Sequence, residues 1–134
     1  MSSAITRINP ETLPDSTKIG YSQISIVESG RIAHVSGQVA SQGDAPIPDS
    51  LIEQTKRVTA NLQAVLDSLA AGTDDIVLLR IYVVDLNDTT MNQSFPVVLE
   101  WLNGAQPSIT GIGVTALAGA SLKLEIEMAV RLPE

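Results

Sequence analysis

The stretch Ile76–Val84, Ile-Val-Leu-Leu-Arg-Ile-Tyr-Val-Val, constrains this chain more than any other. Its β-branched and aliphatic residues suit a strand. With a period of two, Val77, Leu79, Ile81 and Val83 share one face and are expected to meet the helices. Ile76, Leu78, Arg80, Tyr82 and Val84 share the other. Both faces are rich in hydrocarbon, so the strand belongs inside a sheet that is covered on both sides.

The flanking segments supply the rest of that sheet and one layer of cover. Residues 1–18 are polar and interrupted by Pro10 and Pro14, and read as an irregular lead-in. Residues 22–27 and 31–40 read as two strands joined in a hairpin through Glu28-Ser29-Gly30. Ser50 and Glu53 have the spacing of a capping box, in which each side chain bonds the other residue's free N–H. Val58, Leu62, Val65, Leu66 and Leu69 then follow the helical period, with Gly72 as the stop. Met91, Phe95, Val98, Leu99 and Leu102 mark a second helix that stops at Gly104. Pro96 either kinks this helix or starts it. Residues 109–117 form a further strand, and residues 122–131 alternate strictly between apolar and polar.

The order β-β-α-β-α-β-β predicts an α+β, two-layer sandwich: a mixed sheet with two helices on one face. One domain accounts for residues 1–134. No element is left for the second face, and an uncovered apolar face marks an interface, so the chain is expected to oligomerise. Arg80 and Tyr82 on that face would neighbour Glu125 and Glu127. They form either a structural ion pair or the lining of a pocket between subunits.

Composition removes several classes of function. There is no cysteine, hence no disulfide, zinc thiolate or thiol nucleophile. The single histidine, His34, lacks a nucleophile-elbow motif and reads as a satisfied structural residue. No cluster of His or carboxylates suggests a metal. Gly111-x-Gly113-x-x-Ala116 matches a dinucleotide fingerprint in letters only, because a turn and a strand follow it and not a helix. Eight basic against 15 acidic residues leave a net charge of −7, which repels phosphate backbones and argues against nucleic acid. No apolar run reaches the ~18 residues of a membrane span, and the first residues lack a secretory apolar core. A cytoplasmic location is therefore expected. Glu125 and Glu127 point the same way from one strand, and a glutamate held in a partly dry cleft could handle protons near neutrality.

Five segments carry a resemblance. They are Gly20-Tyr21-Ser22-Gln23, Val35-Ser36-Gly37-Gln38, Tyr82-Val83-Val84-Asp85-Leu86-Asn87-Asp88, Gly113-Val114-x-Ala116-Leu117 and Leu124-Glu125-Ile126-Glu127. In this order and spacing, over residues 17–131, they resemble the Rid family of reactive-intermediate deaminases, also called the YjgF or L-PSP family. The resemblance implies a chorismate-mutase-like fold and a homotrimer with a central barrel. It also implies ligand clefts between subunits, and hydrolysis of enamines and imines such as 2-aminoacrylate without metal or organic cofactor. Carried over one at a time, Tyr21 and Asn92 match cleft residues, although the proline that usually precedes the tyrosine is missing. Ser36 and Gly37 match the strand lining the cleft. Glu125 matches the glutamate that positions water, and Gly111 falls where a backbone N–H meets ligand. In Pro107-Ser108-Ile109-Thr110-Gly111, Ile109 stands where the family's deaminases carry an arginine, and Thr110 beside it is a further candidate binding residue.

That departure decides the expected function. A guanidinium grips a carboxylate through two parallel charge-assisted hydrogen bonds. Losing the cation of a desolvated pair costs on the order of 2–5 kcal/mol, roughly 30- to several-thousand-fold in kcat/KM. The expected protein binds a small metabolite in inter-subunit clefts, with weak or absent standard 2-imino-acid deaminase activity. The alternatives are an enamine or imine hydrolase for a less acidic or more apolar substrate, and a ligand-binding or regulatory module without chemistry. Arg80 and Lys123 are the cations that could substitute. Endoribonuclease activity, attributed to some of this family, fits the −7 charge poorly.

Overall fold

The computed structural model describes residues 4–134; Met1, Ser2 and Ser3 of the expected lead-in lie outside the described residues. The elements run β1 (Ile5–Ile8), β2 (Ile24–Val27), β3 (Ile32–Gln38), α1 (Leu51–Ser68), β4 (Ile76–Val84), α2 (Asp88–Leu102), β5 (Ser108–Val114) and β6 (Leu124–Arg131). The main sheet has the order β3-β6-β4-β5. Strand β6 is antiparallel to both neighbours and β5 is parallel to β4, giving the expected mixed sheet. Both helices pack on one face of it. From α1, Val58, Leu62 and Leu66 meet Leu79, Ile81 and Val83 of β4 and Ile126 and Met128 of β6 in one buried cluster. Full burial of each such side chain contributes about 1.5–3 kcal/mol.

Four details of the sequence reading change. First, β2 and β3 do not pair as a hairpin. Strand β2 pairs antiparallel with β1, a strand inside the segment read as irregular, from Ile5 opposite Val27 to Ile8 opposite Ile24. The reason lies at Gly30. The buried Arg131 guanidinium fills the turn, taking the carbonyls of Glu28 at 3.1 Å and Ser29 at 2.7 Å, and a Cβ on Gly30 would fall 2.2 Å from its Cζ. The chain is thereby redirected, and β3 joins β6 instead.

Second, the second face is partly covered after all. Ile5 of β1 packs on Val77 and Ala129, with Val27 and Leu78 alongside. Third, β4 carries an irregularity between Ile76 and Leu78. A bulge moves a residue across the sheet, so Ile76 joins the helix-side core and Val77 turns to the other face.

Fourth, the helix ends differ. Ser50 Oγ accepts the Glu53 N–H at 3.2 Å, but Glu53 turns to Lys56 at 3.3 Å, so only half of the capping box forms. Helix α1 stops before Gly72. Ala70 takes the left-handed conformation (φ 51°), and its N–H and that of Ala71 return to Asp67 and Leu66 at 3.2 and 3.0 Å, a Schellman closure. Helix α2 starts at Asp88, capped by Asn87, and not at Pro96. Asn87 Oδ1 accepts the Thr90 N–H at 3.0 Å, and Thr90 Oγ1 accepts the Asn87 N–H at 2.9 Å. Pro96 therefore lies inside the helix, where it has no N–H to give the Asn92 carbonyl.

Candidate functional site

Parallel pairing of β5 with β4 sets which β5 side chains face the helices. Leu79, Ile81 and Val83 lie opposite Ile109, Gly111 and Gly113, so these three turn toward α2. Between α2 and β5 is a cavity of about 430 Å³, inside the roughly 300–1,000 Å³ range of small-molecule sites. Ile81, Ile109 and Gly111 form its floor, and Met91, Asn92, Phe95 and Leu99 its helical wall. Gly20 holds the positive φ (104°) needed to turn the chain out of Ser16–Ile19, and its missing Cβ admits Leu99, whose Cδ2 would sit 2.6 Å away. That turn brings Ile19 and Tyr21 to the mouth.

The cavity is lined by no charged side chain among the described residues. Its polar groups are neutral. The Tyr21 hydroxyl and the Asn92 amide make no hydrogen bond within the described chain, and Pro96 frees the Asn92 carbonyl. Neither candidate substitute for the missing arginine reaches it. The Lys123 ammonium donates to the Asp49 carbonyl beside the start of α1. Arg80 lies on the opposite face of the sheet, 3.4 Å from Glu127.

The eight expected site residues thus fall into two groups. Tyr21, Asn92, Ile109 and Gly111 meet in the cavity. Thr110 faces the other way, in register with Arg80. Glu125, across from Tyr82, is on that same open face, and Gly37 abuts its carboxyl group, which would sit 2.5 Å from a Cβ. Ser36 is exposed beside it. Within one chain the sheet separates Glu125 from the cavity.

The open face carries its own polar cluster. Arg80 pairs with Glu127 as a half-exposed ion pair, and the Tyr82 hydroxyl donates to the same carboxylate. That bond, with partial burial, raises the Tyr82 phenol above its ordinary range. The expected structural pair therefore forms inside one chain. His34 is not the satisfied residue expected: it is exposed on β3, at the edge of the sheet, and its imidazole makes no hydrogen bond among the described residues. No group of three or more metal-ligating side chains occurs among the described residues, and no described helix is long and apolar enough to cross a membrane. Sequence reasoning missed Ile19, Met91, Phe95 and Leu99 as lining. The helical period of the last three was legible but reads equally as core.

The sequence model of the family described as Endoribonuclease L-PSP matches residues 14–132. A RutC-family protein of Pyrococcus abyssi is 31% identical over 100 residues, 72% of this chain and 75% of that protein. The RutC-family protein YjgH of Escherichia coli is 30% identical over 114 residues, 81% of each. The crystal structure of YyfB from Yersinia pestis, described as a conserved Rid-family protein, superposes with a TM-score of 0.90 at 35% identity, covering 97% of this chain and 100% of that one. By sequence match, by relatives and by fold, this chain belongs to the Rid family, the family of the YjgF and L-PSP proteins.

Proposed function

We propose that this protein binds a small, uncharged and largely apolar metabolite in the α2–β5 cavity, and that it hydrolyses simple 2-imino acids slowly or not at all. One observation carries this reading: the cavity floor holds Ile109, and the lining holds no cation among the described residues. A carboxylate entering such a cavity loses hydration and gains no counter-charge, so its transfer is unfavourable by several kcal/mol. Within one chain, a neutral guest meets a largely hydrocarbon lining with the neutral side chains of Tyr21 and Asn92 as hydrogen-bonding partners.

The proposed assembly is a homotrimer, the arrangement implied by the family resemblance. In it the open face of one copy, with Ser36, Gly37, Thr110 and Glu125, would close over the cavity of the next. Residual hydrolysis of an uncharged enamine or imine would then fall to Glu125 as the group that places water. A cytoplasmic location completes the proposal.

The test is ammonia and keto-acid release from freshly generated 2-aminoacrylate, run beside thermal shift with a panel of neutral and acidic small molecules. Low turnover with stabilisation by neutral ligands supports the proposal. Fast turnover of 2-aminoacrylate, or stabilisation by the acids alone, defeats it. Sedimentation of a monomer at micromolar concentration defeats the trimer.

A further inference from the structure

A second cavity, of about 400 Å³, lies on the far side of the segment that carries Tyr21. Arg7, Asn9, Ser22, Asp74 and Gln106 supply its polar lining. Tyr21 lines the α2–β5 cavity and its neighbour Ser22 lines this one, so one extended segment divides the two.

Arg7 is half used. Its Nη1 donates to Ser25 Oγ at 2.7 Å and to the Val77 carbonyl at 3.2 Å, and its Nη2 donates to the Ile76 carbonyl at 2.6 Å. Of the five N–H groups of a guanidinium, the Nε–H and one Nη2–H have no partner among the described residues. These two donors remain for an acceptor, and a carboxylate can take both from one guanidinium. Arg7 is in no ion pair among the described residues; burial lowers the pKa of the group, and the more distant Asp74 carboxylate opposes that shift. Ser22 adds a second, independent sign. Its hydroxyl is buried, with the residue 2% exposed, and has no hydrogen-bond partner among the described residues. A buried hydroxyl left unsatisfied is unfavourable and rare. A ligand seated in the cavity would meet the free Arg7 donors, and a turn of the Ser22 side chain, which belongs to the same lining, would bring its hydroxyl to that ligand.

Asp74 decides the kind of partner. Its carboxylate repels a plain anion and attracts a cationic group. We propose that this cavity binds a small zwitterion of the α-amino-acid type, its carboxylate on the free donors of Arg7 with help from the Ser22 hydroxyl, and its ammonium toward Asp74. The site is independent of the proposed function of the α2–β5 cavity.

The experiment titrates the full chain with L-alanine, acetate and methylammonium, followed by amide NMR. Alanine should bind saturably, with shifts concentrated at Ser22, Asp74 and Gln106, and more tightly than either half-molecule. Asp74→Asn, an exposed change that leaves the fold intact, should weaken alanine about two- to fivefold and strengthen acetate. Arg7→Gln should weaken both by about thirtyfold or more. Because Arg7 also ties β1 to β4, the opposite responses to Asp74→Asn carry the decision. Absence of saturable alanine binding, shifts confined to the α2–β5 cavity, or equal responses of alanine and acetate to Asp74→Asn would each overturn the proposal.

Discussion

The ring of Phe95 rests over the bare backbone of Gly111: a Cβ at residue 111 would lie 2.8 Å from the ring's Cζ. One residue is on α2 and the other on β5, so this contact sets the width of the cavity between them. Gly111→Ala should push the ring away, costing about 1–3 kcal/mol of stability through overpacking. Denaturant unfolding measures that loss. Ligand-dependent thermal stabilisation should shrink in parallel, and an unchanged variant on both counts would show that the ring yields freely.

The open-face cluster responds to alkali. The Tyr82 phenol is raised above its usual value of 10.0, first by its bond to Glu127 and then by burial. Its contribution to stability is therefore complete below the unfolded-state value and is lost as pH rises through the higher folded one, where phenolate would face carboxylate. Wild type should lose stability more steeply than Tyr82→Phe as pH rises from the unfolded-state value through the higher folded one. The phenolate absorbance missing from Tyr82→Phe should titrate above 10.0. Parallel stability curves would mean that the bond adds nothing.

Pro96 sets stability against binding. Pro96→Ala would restore an N–H to the Asn92 carbonyl and relieve the helix, by up to about 3 kcal/mol. The same change removes the carbonyl as a free acceptor at the cavity wall. A higher melting temperature with weaker affinity for hydrogen-bond-donating ligands is the expected pair of outcomes, a stability–function trade. A gain in stability with unaltered affinity would remove the carbonyl from the site.

How much of this was legible depended on how much each signal is local. Strands β4 and β6 and helix α1 follow from period and capping, because their patterns are long. Strand β1 has four residues, Ile5-Thr6-Arg7-Ile8, just before Pro10, too short a pattern to separate from a polar lead-in. The β2–β3 turn looked like a hairpin because nothing near Gly30 announces Arg131, a residue about a hundred positions away that fills it. The crossing of Ile76 and Val77 depends on one bulge against β6. At the site, Tyr21, Asn92, Ile109 and Gly111 were found through the resemblance. Phe95 and Leu99 were hidden because a cavity wall and a core stripe share the helical period.

Ile109→Arg tests the departure itself. Ile109 lies on the floor beside Ile81 and Gly111, facing Tyr21 and Asn92 across the cavity. An arginine there would place a carboxylate-binding fork among groups that already suit a small ligand. Without ligand the guanidinium lacks an anion, so the free variant should melt below wild type. A 2-keto acid, which mimics the carboxylate of an imino acid, should stabilise the variant and leave wild type unmoved. If Glu125 and the assembled cleft remain competent, kcat/KM for 2-aminoacrylate should rise by about thirtyfold or more. Keto-acid stabilisation without any rise in rate would show that a carboxylate-binding cation is not what limits hydrolysis, and would point to the placement of water. Equal stabilisation of both proteins would mean that wild type already binds carboxylates there, and the reading of an uncharged guest would fall.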